Sequence, residues 1–184
     1  YHTDLQELLN RHDAAFLQKS LIFVKEFVDS YVLDSLATTS VSFKKKLAAT
    51  GIHCQHIIET SVSMTTFHPS KRSETLREEL TFGHKDAFLC IYTGRLSNEK
   101  RIDLILGAVQ KLDNAYLAVV GDGPIAPKFA AMHGEENRLY CKPGFCGHEA
   151  LSAFYASSDV HVSASEFETL GNTVLEAHAC CIPV

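Results

Sequence analysis

The stretch SEFETLGNTVLE, residues 165–176, sets two carboxylates, Glu168 and Glu176, with seven residues between them around a Thr-Leu-Gly-Asn turn. Helix formation accounts for Leu170, Val174 and Leu175, whose spacing suits an apolar helix face. It does not account for the two acids or the glycine. The free N–H groups of a first helical turn, expected at Thr169, Leu170, Gly171 and Asn172, attract an anion. Glu168, just ahead of that turn, would accept hydrogen bonds from sugar hydroxyls, and Glu176, two turns in, from those of a ribose. The plainer reading makes Glu168 a capping acid and Glu176 a solvated face residue.

Two other loops carry compatible chemistry. In TGRLSNEKR (93–101), Gly94 permits close backbone approach, and Arg95 and Lys100 project cations from one loop and helix start. An arginine grips phosphate through two parallel hydrogen bonds, and a lysine adds a point charge. In VVGDGP (119–124), Gly121 and Gly123 suit a tight turn and a ligand-approaching backbone. A dinucleotide fingerprint would need a third glycine and a downstream ribose acid, which argues against an NAD-dependent dehydrogenase. Solvated surface cations and an ordinary strand-to-helix turn are the bland alternatives. Taken together, two cations, a helix start and two hydroxyl acceptors suit a phosphorylated sugar or nucleotide-sugar. The sequence has no Asp-x-Asp pair to hold a divalent ion, so no metal site is expected.

These residues come together only if the elements between them alternate correctly. AFLCIY (87–92), AYLAVV (115–120), RLYCK (138–142) and DVHVSA (159–164) read as strands. Helices are expected over 99–112, from Pro124 to about His133, over 148–158 and over 169–180. Near-continuous apolar strands spaced by helices imply a parallel sheet covered on both faces, with ligands beyond the strands' carboxyl ends. The earlier part repeats the pattern less completely. Helices are expected over 18–30 and over 40–51, the latter stopped by Gly51, with strands over 33–39 and 53–59. Residues 60–72 read as a connection. The fold class is therefore α/β, with two Rossmann-like parallel-sheet units, 1–64 and 65–184, the first cut short.

The chain has 184 residues, 46% hydrophobic and 21% charged, as in an ordinary globular protein. A net charge of −5 argues against general binding to nucleic acid. No apolar run reaches the length of a membrane span. SFKKKL (42–47) would suit peripheral contact with an anionic membrane surface, although a solvated helix face is the plainer reading. The six cysteines form no CxxC pair and mostly lie in apolar runs, as reduced core residues of a cytosol-like compartment do. The chain starts at Tyr1 rather than Met and stops at Ile182-Pro183-Val184, like the opening of a strand. It reads as a fragment with no visible targeting segment, from a cytoplasmic or organelle-stromal protein.

The pieces YTGRLSNEKRIDLI (92–105), VVGDGP (119–124), FCGHEALSAFYASSDVHVSASEFETLGNTVLEAHACCIPV (145–184) and TTFHPSKRS (65–73) resemble the retaining family-4 glycosyltransferases of the GT-B fold. Glu168 and Glu176 match that family's Glu-x7-Glu motif, and YHTDL (1–5) is similar to its acceptor-side His-Thr segment. Within the family the look is toward sulfoquinovosyltransferase-like and mannosyltransferase-like glycolipid enzymes, and the resemblance implies two truncated Rossmann-like domains, a partial acceptor-side domain over 1–64 and a donor-binding domain over 65–184 that lacks its last elements.

The resemblance implies that Arg95 and Lys100 bind the donor diphosphate, with Gly94, Gly121 and Gly123 at its approach. It implies that Glu168 holds the donor sugar with the backbone of Thr169, Leu170 and Gly171, and that Glu176 contacts the ribose. The segment Pro143 to Phe145 would pack on the base. His2 would lie near the reacting carbon, or be a plain loop histidine. The implied reaction moves a sugar from a nucleotide-sugar, expected to be UDP-linked, to an acceptor hydroxyl, with a lipid such as diacylglycerol as one candidate. No cofactor is expected beyond the nucleotide-sugar substrate. The chain alone is expected to be inactive. The rivals are an inactive nucleotide-sugar-binding protein and another GT-B enzyme such as a nucleotide-sugar epimerase. Two departures from the family pattern are Cys180-Cys181, where small residues are usual, and Ser61-Val62-Ser63, where a Gly-Val-Asp turn is usual.

Overall fold

The computed structural model describes residues 35–58, 61–165 and 171–184. They fall into two compact units, with 35–58 in the first and 61–165 and 172–184 in the second. The expected helix over 18–30 and the His-Thr segment at residues 1–5 lie outside the described residues.

In the first unit, β1 (Ala37–Thr38) and β2 (His56–Ile57) pair in parallel, joined through helix α1 (Val41–Ala49). Ser40 starts α1 by accepting the Phe43 N–H on its hydroxyl at 3.1 Å. Gly51, with φ of 89°, ends it as the sequence predicts. Leu36, Ile52 and Cys54 bury together as a small core.

The second unit holds helix α2 (Glu74–Leu80), then β3 (Phe88–Thr93), α3 (Ile102–Val109), β4 (Ala115–Gly121), α4 (Ala126–Ala131) and β5 (Leu139–Pro143). Helix α5 (His148–Ala156), β6 (Val160–His161) and α6 (Asn172–Ala179) complete it. Its strands form one parallel sheet in the order β5-β4-β3-β6. The expected alternation of strand and helix is what the structure has.

The side chains of β3 and β4 part to opposite faces residue by residue, as the period of two requires. Leu89, Ile91, Tyr116, Ala118 and Val120 pack with Leu80 of α2, Phe154 and Tyr155 of α5 and Ala177 of α6. Cys90, Tyr92, Leu117 and Val119 pack with Ile102, Ile105, Leu106 and Val109 of α3 and Phe129 of α4. Both faces are thus covered. Each wholly buried leucine or isoleucine there contributes about 1.5–3 kcal/mol of burial.

Several boundaries differ from expectation, each for a local reason. The helix expected from Pro124 starts at Ala126, and the proline in its first turn is Pro127, while Pro124 lies in the preceding turn. The helix expected over 99–112 is split. A short 3-10 turn, Asn98–Lys100, ends at Arg101 in the left-handed conformation (φ 50°), and α3 begins after it. The strand expected over 159–164 pairs only at Val160–His161. Helix α6 begins at Asn172, and Gly171 before it has φ of 72°, so the helical turn expected at Thr169–Asn172 does not include Gly171. Helix α2 lies where no element was expected. Ser73 caps it, accepting the Leu76 N–H at 3.2 Å, and Glu74 suits the positive end of its dipole.

Helix α2 also carries an interior charge. Arg77 is buried and donates to the carbonyls of Ser157 (2.9 Å) and Ala87 (2.7 Å) and to Asp159 Oδ2 (2.7 Å). The same carboxylate oxygen accepts the Leu89 N–H at 2.7 Å. The guanidinium therefore ties α2 to the starts of β3 and β6. No helix among the described residues is long and apolar enough to cross a membrane.

Candidate functional site

The carboxyl ends of β3, β4 and β5 open into three loops that begin Gly94-Arg95, Asp122-Gly123 and Gly144-Phe145. The first two loops are laced through their backbones. Gly94 N–H donates to Val120 O at 3.1 Å, Leu96 N–H to Asp122 O at 2.7 Å, and Ile125 N–H to Leu96 O at 3.1 Å. The third joins them through Gly144 N–H to Gly121 O at 3.0 Å. A Cβ at Gly121 would stand 1.9 Å from Gly94 O, and one at Gly123 would stand 2.3 Å from Leu96 O. Both glycines also have positive φ, 148° and 154°. They are required because two loops touch there, a reason that the sequence reading of a ligand-approaching turn did not contain.

A cavity of about 290 Å³ lies at these strand ends. Gly94, Arg95, Gly121, Phe145, Thr173 and Glu176 are among its lining residues. The structure thus gathers five of the residues singled out from sequence, with Thr173 added. Phe145 is 90% exposed, an uncovered aromatic face beside the cavity. Arg95 is exposed at the side chain, and its carbonyl is held by the buried Tyr92 hydroxyl at 2.9 Å. The loop is therefore fixed while its guanidinium stays available to solvent.

Lys100 is placed differently. Its Nζ donates to Ser165 Oγ at 3.2 Å, which links the α3 side to the loop after β6, and it is not among the cavity-lining residues. Between the two cations stands Glu99. Burial pushes its carboxyl up, but the Ser97 hydroxyl at 2.6 Å, its own backbone N–H, Arg95 and Lys100 outweigh this and hold it below the ordinary value. The loop therefore carries its own counter-charge.

Glu176 sits half-buried on α6, so the solvated-face reading fails for it. Its Oε2 accepts from the Tyr155 hydroxyl at 2.9 Å, and that hydroxyl also pairs with Thr93 Oγ1. Burial pushes the Glu176 carboxyl up, while the Tyr155 hydrogen bond and His148 pull it partly back. The Tyr155 hydroxyl is itself pushed well up by burial and by the neighbouring Glu176. An ionisable acid in a cavity with a perturbed proton affinity and a specific partner is a functional-site signature.

A sequence model of the family described as glycosyl transferases group 1 matches residues 87–184. The chain belongs to the group 1 glycosyl transferases. It is 30% identical over 187 residues to the sulfoquinovosyl transferase SQD2 of Arabidopsis thaliana, covering all of this chain and 36% of that protein. It is 31% identical over 184 residues to a GDP-mannose-dependent alpha-mannosyltransferase of Corynebacterium glutamicum, covering 43% of it. It is 27% identical over 138 residues to the alpha-monoglucosyldiacylglycerol synthase of Acholeplasma laidlawii, which covers 70% of this chain and 34% of that protein.

Among solved structures, sucrose-phosphate synthase from Thermosynechococcus elongatus superposes over the whole chain and 48% of its own, with TM-score 0.75 and 21% identity. Anabaena Alr3699/HepE, in complex with UDP and glucose, superposes over 98% of this chain and 50% of its own, with TM-score 0.74 and 18% identity. These likenesses show the fold, which is GT-B. The chain spans between about a third and half the length of these relatives.

Within this glycosyl transferase chain, His2, Glu168, Thr169 and Leu170 lie outside the described residues. Gly123 supports the laced loops and does not line the cavity, and Gly171 is placed only as the residue before α6. The sequence reading passed over Tyr155 and Thr93. Tyr155 stands at an apolar helix position in HEALSAFYASS, and Thr93 is the last residue of a strand. A tyrosine on a buried helix face is a usable signal, because a buried phenol needs a partner for its hydroxyl. All six cysteines are free thiols. Cys54, Cys90, Cys141 and Cys180 are buried, Cys146 is half-buried and Cys181 is exposed.

Proposed function

We propose that the full-length protein is a retaining glycosyltransferase that moves a sugar from a nucleotide-sugar to an acceptor hydroxyl. The observation that carries this reading is the cavity at the carboxyl ends of β3, β4 and β5, lined by a cation, an exposed aromatic ring and a half-buried carboxylate. Arg95, with Lys100 nearby, balances the diphosphate. Phe145 stacks on the base. Glu176 accepts from the ribose, and Glu168, with the backbone after it, holds the sugar. His2 stands near the reacting carbon. The barrier is departure of the nucleoside diphosphate from an oxocarbenium-like carbon, and preorganised positive charge lowers it by stabilising the leaving group. No metal or cofactor takes part in this scheme.

The donor is proposed to be UDP-linked, in keeping with UDP in the similarly folded Anabaena protein. The GDP-mannose-dependent name of the Corynebacterium relative makes GDP the competing base. A lipid acceptor of the diacylglycerol type is proposed, in keeping with the name of the Acholeplasma relative. Screening the full-length protein by thermal shift against UDP-, GDP- and ADP-sugars tests the donor. A true donor at 100 times its dissociation constant adds about 2.7 kcal/mol to stability. Stabilisation by none of the three classes would refute the nucleotide-sugar reading. Formation of a glycoside rather than a rearranged free sugar separates transfer from epimerisation.

A further inference from the structure

Tyr155 is wholly buried, with 0% of its surface exposed, and its side chain is not among the cavity-lining residues. Its hydroxyl nevertheless joins two residues that do line the cavity, Thr93 at the end of β3 and Glu176 on α6. A phenol carries one proton. An ionised carboxylate can only accept, so the phenol must give that proton to Glu176 Oε2 and accept its other hydrogen bond from Thr93 Oγ1. Thr93 then has its own proton committed as well. The three groups form a chain with one direction, from β3 through α5 to α6.

This chain commits one oxygen of Glu176, Oε2, and does not engage the other, Oε1. No described residue donates a hydrogen bond to Oε1. A glutamate has three side-chain torsions and would otherwise sample several rotamers at a cavity wall. Holding it before the ligand arrives removes that ordering cost from binding. The anchor is rigid, since Tyr155 packs against Phe67 with ring centroids 6.1 Å apart and against His161 at 5.8 Å.

We propose that Tyr155 is a positioning residue that holds Glu176 with one carboxylate oxygen fixed and the other left for a ribose hydroxyl, and that Thr93 sets the direction of this hold. The proposal rests on reading Glu176 as the ribose acceptor. It assigns part of the site's preference for ribose over deoxyribose to a residue that does not line the cavity.

The test measures binding of UDP, 2′-deoxy-UDP and 3′-deoxy-UDP to the full-length protein by calorimetry, for the wild type and for Tyr155→Phe, Thr93→Val and Glu176→Gln. The wild type should prefer UDP over at least one deoxy form by about 10- to 100-fold, the range of a hydrogen bond to a charged group. Glu176→Gln should abolish most of that preference. Tyr155→Phe should reduce it by about tenfold while affinity for the deoxy form stays near that of the wild type. Thr93→Val, which deletes the far hydroxyl and keeps the shape, should reduce it by about threefold. Because Thr93→Val acts through the same chain without touching the aromatic packing, it carries the test even if Tyr155→Phe folds poorly. Equal weakening of UDP and its deoxy forms by Tyr155→Phe would mean a merely structural role and would overturn the proposal. So would an intact preference in Tyr155→Phe when Glu176→Gln has lost it. If Glu176→Gln itself keeps the preference, the ribose reading of Glu176 falls and the proposal falls with it.

Discussion

The two walls of the cavity are made differently. One is backbone: Gly94 and Asp122, in loops, and Gly121, at the end of β4, lie in a stretch held by N–H to carbonyl bonds, with no room for a Cβ at Gly121. The other is side chain: Glu176 stands on α6, held through Tyr155 to Thr93. A backbone wall has one shape and fails abruptly when that shape is denied. A side-chain wall depends on proton positions, so it responds to pH and to the loss of single hydroxyls. The arrangement divides the cavity, with fixed geometry on the side of the phosphate-binding candidates and adjustable chemistry on the side of Glu176, the proposed hydroxyl acceptor.

The sharpest way to break this contrast is Gly121→Ala. A Cβ 1.9 Å from Gly94 O at φ of 148° cannot be accommodated without separating the loops. The expected loss is about 3–5 kcal/mol of stability, from backbone strain plus overpacking. Urea denaturation measures it, and a loss below about 1 kcal/mol would show that the loops part easily. Next comes Arg95→Ala. The side chain is exposed, so the fold should hold, while turnover by the full-length protein should fall by about 10²–10³ through lost stabilisation of the leaving diphosphate. Near-normal turnover would remove Arg95 from the site.

The smallest expected effect is a pH shift on the side-chain wall. Burial raises the Glu176 carboxyl above an ordinary glutamate, and the Tyr155 hydroxyl and His148 only partly offset it. In the proposed role, ligand hydroxyls donate to the ionised form, so donor affinity should be full above the raised value and be lost as pH falls through it. The acid limb should therefore lie at higher pH than for an unperturbed glutamate, and Glu176→Gln should erase it. Stability moves the other way. A carboxyl raised on folding contributes stability at low pH that is lost as pH rises through its folded value. Affinity and stability measured across the same pH range should therefore slope in opposite directions around Glu176, and parallel slopes would contradict the assignment.

How much of this was legible in sequence depended on which physical signal each part leaves. Strands β3 and β4 are buried on both faces, so AFLCIY and AYLAVV announce themselves as continuous apolar runs, and the structure shifts their ends by only a residue. Helix starts were less legible. Pro124 and Pro127 both suit a first turn, and the lacing of Gly123 against Leu96 decides between them. Helix α2 is not legible because its polar ETLREEL face gives a weak periodic signal, while its long-range ties, among them Arg77 to Ser157 and Asp159 and Glu79 to Tyr140, bridge distant sequence.

Arg95 and Glu176 are legible from residue type and position relative to strand ends, Phe145 is implied by the family resemblance, and all three line one cavity. Tyr155 is not legible, because apolar periodicity records its ring and is blind to its hydroxyl. The steric need for Gly121 and Gly123 was likewise hidden, since it arises from contact between loops separated in sequence.

The distribution of thiols has a practical consequence. Cys181 is exposed just past the end of α6, in a left-handed conformation (φ 58°), whereas the other five cysteines are buried or half-buried. Burial also pushes the Cys146 thiol up, with Lys142 only partly opposing it, which slows that cysteine's chemistry. A thiol-reactive fluorophore would therefore attach first at Cys181, five residues beyond Glu176. The chain comes with its own attachment point for an optical reporter just beyond the helix that carries Glu176.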